Sequence, residues 1–176
     1  MKPKIKTYRL LSFKFLFKTL FVLSLILSLA LIIVGIIKSL AGFWNNNYKA
    51  GYIGIAFLIF STYLFYNFGL VIYLYVKYLL HERKTKIKID YDNETITMFE
   101  NSTYFILTSE NIKSIEFHLS TKHYKNLLRY YGYTKLNSTD GKEFIITNFI
   151  LNYRLIENMF NSVKKIKKLN EIIYLP

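Results

Sequence analysis

Two long uncharged stretches occupy most of the first half of the chain. Thr19–Ile37 lies between Lys18 and Lys38 and consists mainly of Leu, Ile and Val, and Ala50–Val76 carries no charge. A helix needs about 20 apolar residues to cross a hydrocarbon core of roughly 30 Å, so each stretch is long enough. We predict a transmembrane helical hairpin over residues 19–80, with helices at about 19–40 and 50–78.

Most of the positive charges that flank this hairpin lie on one side, and the connection between the stretches offers little beyond Lys49. Six Lys or Arg residues lie between Lys2 and Lys18, and Arg83, Lys84, Lys86 and Lys88 follow the second stretch. The connection Ala41–Lys49 contains three Asn residues beside aromatic rings, which suits a bilayer interface. By the positive-inside rule, residues 1–18 form a basic cytoplasmic segment and both termini face the cytoplasm. We therefore predict a multi-pass protein of the cell inner (plasma) membrane.

A cleaved signal peptide is a competing interpretation of the N-terminal region. Ser39 and Ala41 resemble a small-residue cleavage site after a basic segment and an apolar run. The apolar run is longer than the core of most signal peptides, and Lys38 stands just before the cut. The hairpin therefore remains the preferred interpretation.

The second half of the chain changes to an alternating pattern. Ile87, Ile89 and Tyr91 share one face of a strand, and Asp92-Asn93 is typical of a hairpin turn. Asp140-Gly141 is a second strong hairpin signal. The pattern predicts six strands, at Lys86–Tyr91, Glu94–Phe99, Tyr104–Leu107, Lys113–Leu119, Leu128–Leu136 and Lys142–Ile146.

Helical spacing returns near the C-terminus. Leu151, Leu155, Met159 and Val163 form one apolar stripe, and Thr147 is suited to cap a helix. We predict an amphipathic helix at about residues 148–169. The predicted fold class is thus an α+β membrane protein, with a transmembrane hairpin followed by an antiparallel β-rich cytoplasmic domain over residues 81–176 that this helix covers.

The charge of the chain does not indicate a nucleic-acid partner. The formal net charge is +13, but the region from His81 to the end holds 15 basic and all 11 acidic residues. Much of the excess positive charge therefore lies in the N-terminal flank of the hairpin, where the positive-inside rule explains it. The chain has no cysteine, which excludes disulfides, thiolate metal sites and a cysteine nucleophile.

Two groups of cations and one amide are the candidate binding residues. Cations close to an anionic leaflet attract its lipid head groups. Both groups also have another explanation, because the first follows the positive-inside rule and the second lies at the solvated end of the predicted helix. In the second apolar stretch, Asn67 is a candidate contact to another helix, with a transported solute as the alternative. The candidate head-group contacts are Arg83, Lys84, Lys86, Lys88, Lys164, Lys165, Lys167 and Lys168.

No constellation of residues predicts catalysis, a metal or a cofactor. His81, His118 and His123 have no recognisable metal or triad spacing. Asp90, Asp92 and Glu94 alternate along a hairpin without the spacing of a calcium loop, so a charged turn is the better interpretation. We therefore expect a protein that is not an enzyme, with no catalytic, cofactor-binding or metal-binding residues.

The second half of the chain resembles bacterial pleckstrin-homology-like domains. The resemblance rests on the meander of short strands, the Asp140–Lys142 hairpin, the strand end Ile146–Asn148 and the amphipathic helix that follows. With the two-helix anchor, the layout is similar to that of small bacterial membrane proteins of the YcxB-like kind. The chain departs from the pattern in having six predicted strands instead of seven, and in having no tryptophan in the helix, since Trp44 is the only one. The resemblance implies a PH-like domain over residues 81 to about 169 and does not imply phosphoinositide binding.

These features favour a non-enzymatic, membrane-anchored binding or regulatory module that acts at the inner leaflet on an unknown ligand. Its expected partners are the bilayer and either anionic lipid head groups or a membrane protein, but not nucleic acid. A second copy of the chain is a further candidate partner. The alternative is an oligomeric pore, transport or immunity-type component with a cytoplasmic assembly domain. The absence of ionisable residues away from the ends of the apolar stretches makes ion-coupled transport a poorer match.

Overall fold

A computed structural model describes residues 5–9, 13–83, 85–100, 103–121 and 131–176 of the chain. The chain divides into two compact units. One unit contains residues 16–75 and is helical. The other unit combines residues 1–15 with residues 76–176 and contains every strand of the described chain.

Two helices form the apolar part of the chain. Helix α1 is Phe13–Leu40 and helix α2 is Tyr48–Glu82, and they include both predicted segments. Both are long and apolar enough to cross a membrane, with mean hydropathy of 3.1 for α1 from Leu16 onward and 1.9 for α2. Thr19 and Tyr75 are joined by a hydrogen bond of 2.6 Å between their hydroxyl groups. The two helices therefore run back along each other within this unit.

A close approach at the turn explains one of the glycines. A Cβ atom on Gly51 would lie 2.6 Å from three ring atoms of Phe43. Phe43 also contacts the ring of Tyr52, at 5.5 Å between centroids. Glycine at position 51 lets the start of α2 lie directly against this aromatic turn.

The first sheet contains four antiparallel strands in sequential order. They are β1 (Ile5–Arg9), β2 (Thr85–Asp90), β3 (Thr95–Glu100) and β4 (Thr103–Leu107). Because β1 precedes the helices and pairs with β2, which follows them, the hairpin is inserted between two neighbouring strands. The basic N-terminal segment thus contributes an edge strand to the domain, which the hydrophobic pattern did not reveal.

The second sheet has the order β7-β6-β5-β8. Its strands are β5 (Ile112–Ser120), β6 (Tyr133–Ser138), β7 (Glu143–Thr147) and β8 (Lys164–Asn170). The β6–β7 hairpin turns at Gly141, whose φ of 84° is the conformation that favours glycine. This turn is the one that Asp140-Gly141 predicted. Strand β8 runs parallel to β5, whereas the other pairs are antiparallel.

The predicted C-terminal helix of residues 148–169 is corrected by the structure. Helix α3 comprises only Tyr153–Met159, and the last part of the predicted helix forms strand β8 instead. The open edge of β5 explains this difference, because pairing with it satisfies backbone groups along seven residues. Thr147 ends β7 and is not the helix cap, which is Asn152. The predicted fifth strand also begins later, at Tyr133, and residues 122–130 lie outside the described chain.

The two sheets and α3 enclose one hydrophobic core. Alternate residues of the strands point inward, as expected for sheets with one solvated face. Ile156 and Phe160 add side chains that are completely buried, from α3 and the residue that follows it. The core includes Ile87, Ile89, Ile96, Met98, Leu107, Ile112, Ile115, Phe117, Leu136, Phe144 and Ile146.

Replacing Asn152 by alanine is expected to lower the free energy of unfolding of this domain by about 1 kcal/mol. The side-chain oxygen of Asn152 accepts a hydrogen bond of 3.0 Å from the backbone N–H of Arg154, at the first turn of α3. Chemical denaturation of the full chain in detergent measures the difference. Asn161→Ala, at an exposed position after the helix, is the matched control. A loss of the same size in both variants would contradict the capping role.

Candidate functional site

The cations that follow α2 reach two different places. Lys86 and Lys88 lie on β2 with their side chains on the outer face of the first sheet, since Ile87 and Ile89 point into the core. Arg83 is exposed directly after α2. Lys84 lies outside the described residues.

The four lysines near the C-terminus lie on β8 and not at a helix end. Lys167 pairs with Glu157 at 2.7 Å, and Lys168 pairs with Glu116 at 2.7 Å. Lys165 donates to the backbone oxygen of Glu157, also at 2.7 Å. The predicted position of these lysines at the solvated end of a helix is therefore wrong, although Lys165 does reach one carbonyl of α3. Lys86 and Lys88 thus lie on the first sheet, whereas these four lysines lie on the second sheet.

Glu116 organises a polar cluster on the outer face of the second sheet. Its carboxylate accepts from Lys168, from Asn137 at 3.3 Å and from the ring of His118 at 3.3 Å. The His118 ring is stacked on Tyr133, with centroids 4.3 Å apart. The hydrogen bond from Lys168 is the main cause that lowers the pKa of Glu116. Burial opposes this effect, and the hydrogen bond from His118 adds to the lowering. The cluster joins β5, β6 and β8 across their outer face.

Acid is expected to weaken the domain through Glu116. Because its pKa is lowered in the folded protein, its contribution is present above the ordinary glutamate value and is lost as the pH falls through the lowered value. We expect Glu116→Gln to lower the free energy of unfolding by about 1 kcal/mol at neutral pH, and the difference to shrink in acid. Denaturation at a series of pH values measures both effects. Glu110→Gln, at an exposed turn, is the control and should change neither quantity.

An open polar groove of about 280 Å³ lies beside this cluster. Three lysines line it, and two of them are paired: Lys135 with Glu143 at 2.6 Å and Lys142 with Asp140 at 3.2 Å. The groove thus presents both signs of charge. Such a lining does not select an anion or a cation.

Tyr78 is the first of two side chains that fix the end of α2 in the domain. It is completely buried, and its hydroxyl donates to the backbone oxygen of Ile173 at 3.1 Å. Its ring contacts those of Tyr131 and Phe149, each at 5.3 Å between centroids. The last turns of α2 thus belong to the core of the domain and not to the helical unit.

Glu82, the last residue of α2, is also completely buried. Its Oε1 atom accepts a hydrogen bond of 2.8 Å from the backbone N–H of Thr147, at the end of the edge strand β7. Its Oε2 atom is buried and has no hydrogen-bond donor within the described residues. We call the set Tyr78, Glu82, Tyr131, Thr147, Phe149 and Ile173 the helix–sheet junction.

The sequence analysis did not predict this junction, although the sequence contains one sign of it. An acidic residue in the last turn of a helix opposes the helix dipole, so it needs another partner. Glu82 is such a residue, and it is the first acid in the chain. Tyr78 carried no comparable signal, because it is one of 16 tyrosines.

Asn67 makes its described contact within its own helix. Its side-chain amide donates to the backbone oxygen of Tyr63 at 2.8 Å. The contact to another helix therefore stays a prediction. Among the described residues, no group of three His, Asp or Glu side chains is arranged to hold a metal ion. His123 lies outside those residues.

Comparison with known proteins identifies the domain. A family model described as PH domain matches residues 4–159, which include β1, both long helices and α3. Neither the curated proteins nor the solved structures provide a significant match. The PH-like domain inferred from the sequence is thus confirmed, and its extent includes the N-terminal strand. The membrane location and the YcxB-like kind stay predictions.

Proposed function

Since this chain belongs to the PH domain family, we propose that it is a membrane-anchored, non-enzymatic binding or regulatory module. In this proposal α1 and α2 cross the inner (plasma) membrane, and the PH domain is held at the cytoplasmic side with both termini. The domain then acts on a ligand or protein partner at the inner leaflet.

The observation that carries the proposal is the insertion of the helical hairpin between β1 and β2. Strand β1 ends at Arg9 and α1 begins at Phe13, while α2 ends at Glu82 and β2 begins at Thr85. The domain is therefore joined to the apolar helices at two points by only a few residues. A domain attached in this way cannot leave the surface of the membrane that its helices cross.

The charge distribution supports the proposed orientation. Six cations precede the first apolar stretch, and Arg83, Lys86 and Lys88 follow the second, whereas the turn between the helices has little beyond Lys49. An excess of cations marks the cytoplasmic side. The resemblance to YcxB-like membrane proteins agrees with this arrangement.

Topology measurements in cells test the proposal. A reporter fused after Pro176 should be active only inside, and a reporter inserted at Asn46 in the turn should be active only outside. Alkaline washing should leave the intact chain in the membrane fraction. Release of the chain by this washing, or a C-terminal reporter active outside, would overturn the proposal.

A further inference from the structure

The two described sheets end in four edge strands, which are β1 and β4 in the first sheet and β7 and β8 in the second. An edge strand has unpaired backbone groups that can pair with another chain, and charged side chains oppose such pairing. Strand β1 carries Lys6 and Arg9, and β8 carries four lysines. Strand β7 begins with Glu143, and Glu82 binds the N–H of its last residue. Three of the four edges thus have a feature that opposes pairing.

Strand β4 is the exception among these four edges. Its sequence, Thr-Tyr-Phe-Ile-Leu, has no charge, glycine or proline, and its first four residues are of types that favour strands. Tyr104 is 66% exposed and Ile106 is 51% exposed, although both are large side chains. An exposed, uncharged edge of this kind associates readily with another strand.

The inner side of β4 fixes this strand in the domain. Leu107 belongs to the hydrophobic core, and the ring of Phe105 lies 5.0 Å from that of Phe144 between centroids. Packing therefore holds β4 in an extended conformation before any partner arrives. Pairing with a second strand then needs no rearrangement of the domain, which lowers its cost.

One end of the β4 edge is closed and the other is open. The side-chain amide of Asn111 donates to the backbone oxygen of Ile106 at 2.8 Å. The backbone groups of successive residues in an antiparallel strand point to opposite sides, so Tyr104 directs its own groups to the same side as Ile106. Tyr104 thus presents an N–H and a C=O at the open part of the edge.

We infer that β4 pairs antiparallel with β4 of a second copy of this chain, with Tyr104 opposite Tyr104. The inference rests on the proposed function, because the shared membrane brings the copies together. A two-fold axis makes the contact self-complementary, so each Tyr104 N–H donates to the Tyr104 backbone oxygen of the other copy. The first sheets of both copies then form one continuous sheet.

A second copy is the occupant that the chemistry and the proposed anchor favour. It offers the same uncharged strand, and anchoring concentrates all copies on one membrane surface. The interface is small, because β4 has five residues and a standard interface takes about 20–30 residues from each partner. We therefore expect pairing in the membrane and dissociation when the chain is diluted in detergent.

Disulfide crosslinking tests the inference, because the natural chain contains no cysteine. Opposite residues in a hydrogen-bonded antiparallel pair have Cα atoms about 5.5 Å apart, within the roughly 4.4–6.8 Å that a disulfide spans. In native membranes with copper phenanthroline as oxidant, Tyr104→Cys should form a disulfide-linked dimer at least about tenfold faster than Thr7→Cys. Thr7 is the matched control, because it is exposed on β1, the other edge of the same sheet.

An added lysine distinguishes pairing of the edge from association through another surface. Ile106→Lys, combined with Tyr104→Cys, should reduce the crosslinking rate to that of Thr7→Cys, because a lysine on an edge strand opposes pairing. Thr97→Lys places the same charge on β3, opposite Ile106, and should preserve the fast rate. Circular dichroism of the purified variants verifies that they are folded.

Three results would overturn the inference. The first is an equal crosslinking rate for Tyr104→Cys and Thr7→Cys. The second is an equal response to Ile106→Lys and Thr97→Lys, whether loss or retention, which would place the contact on another surface. The third is a crosslinked product whose mass shows that a different protein is attached. Release of the chain from the membrane by alkaline washing would instead contradict the proposed function.

Discussion

Replacing Tyr78 by alanine is expected to lower the free energy of unfolding of the PH domain by about 3–5 kcal/mol. The side chain is completely buried between Tyr131 and Phe149, so its removal leaves a cavity at the helix–sheet junction. The substitution also leaves the backbone oxygen of Ile173 without the donor that Tyr78 provides. A loss of this size is a large fraction of the stability of a typical domain.

Amide hydrogen exchange in the full chain measures this effect where it is expected. Core amides of β5 and β6, such as those of Ile115 and Leu136, report the opening of the domain separately from the helices. Tyr78→Phe should lose only about 1 kcal/mol, because the ring remains and one hydrogen bond is removed. Tyr104→Ala, at an exposed position, is the control. Unchanged exchange in Tyr78→Ala would show that the junction does not support the domain.

The helical hairpin was predictable because its signal is local. Thr19–Ile37 and Ala50–Val76 have no charge, and length alone identifies such stretches as helices that suit a bilayer. The alternating patterns of β2 and β3 are equally local, since Ile87 and Ile89 face the core as predicted. Local sequence patterns thus predicted most of the helices and strands.

The two edge strands could not be recognised in this way. Strand β1 has only five residues, four of them exposed, and its partner β2 lies on the far side of both helices. Strand β8 continues the spacing of α3, because Val163, Ile166 and Leu169 also fit a helical period. This segment becomes strand β8 because it pairs with the free edge of β5. A local sequence pattern cannot reveal a pairing partner that is distant in sequence.

The candidate sites were predictable only in part for a related reason. Counting charges located Lys86 and Lys88, but their neighbours across the first sheet come from β1 and β3. Arg9 and Lys86 become neighbours only when the sheet forms. The junction likewise joins Glu82 to Thr147, a contact that depends on where α2 ends against β7.

Replacing Glu82 by leucine is expected to cost about 1–3 kcal/mol, the second largest effect that we predict. Leucine has a similar volume but no acceptor, so the backbone N–H of Thr147 loses its buried partner. Glu82→Gln retains an acceptor and removes the ionisable group, whose Oε2 atom is buried without a donor in the described part of the chain. Since burial disfavours the charged form of this carboxyl group, the neutral glutamine variant should be at least as stable as the natural protein.

Hydrogen exchange at the Thr147 amide distinguishes these substitutions directly. In Glu82→Leu this amide should exchange at least about tenfold faster, because one lost hydrogen bond is enough for a change of that size. In Glu82→Gln it should remain protected. Equal protection in all three proteins would mean that β7 and α2 are held together without this bond. Protection lost in both variants would instead show that the ionised carboxylate is required, and that the junction depends on charge.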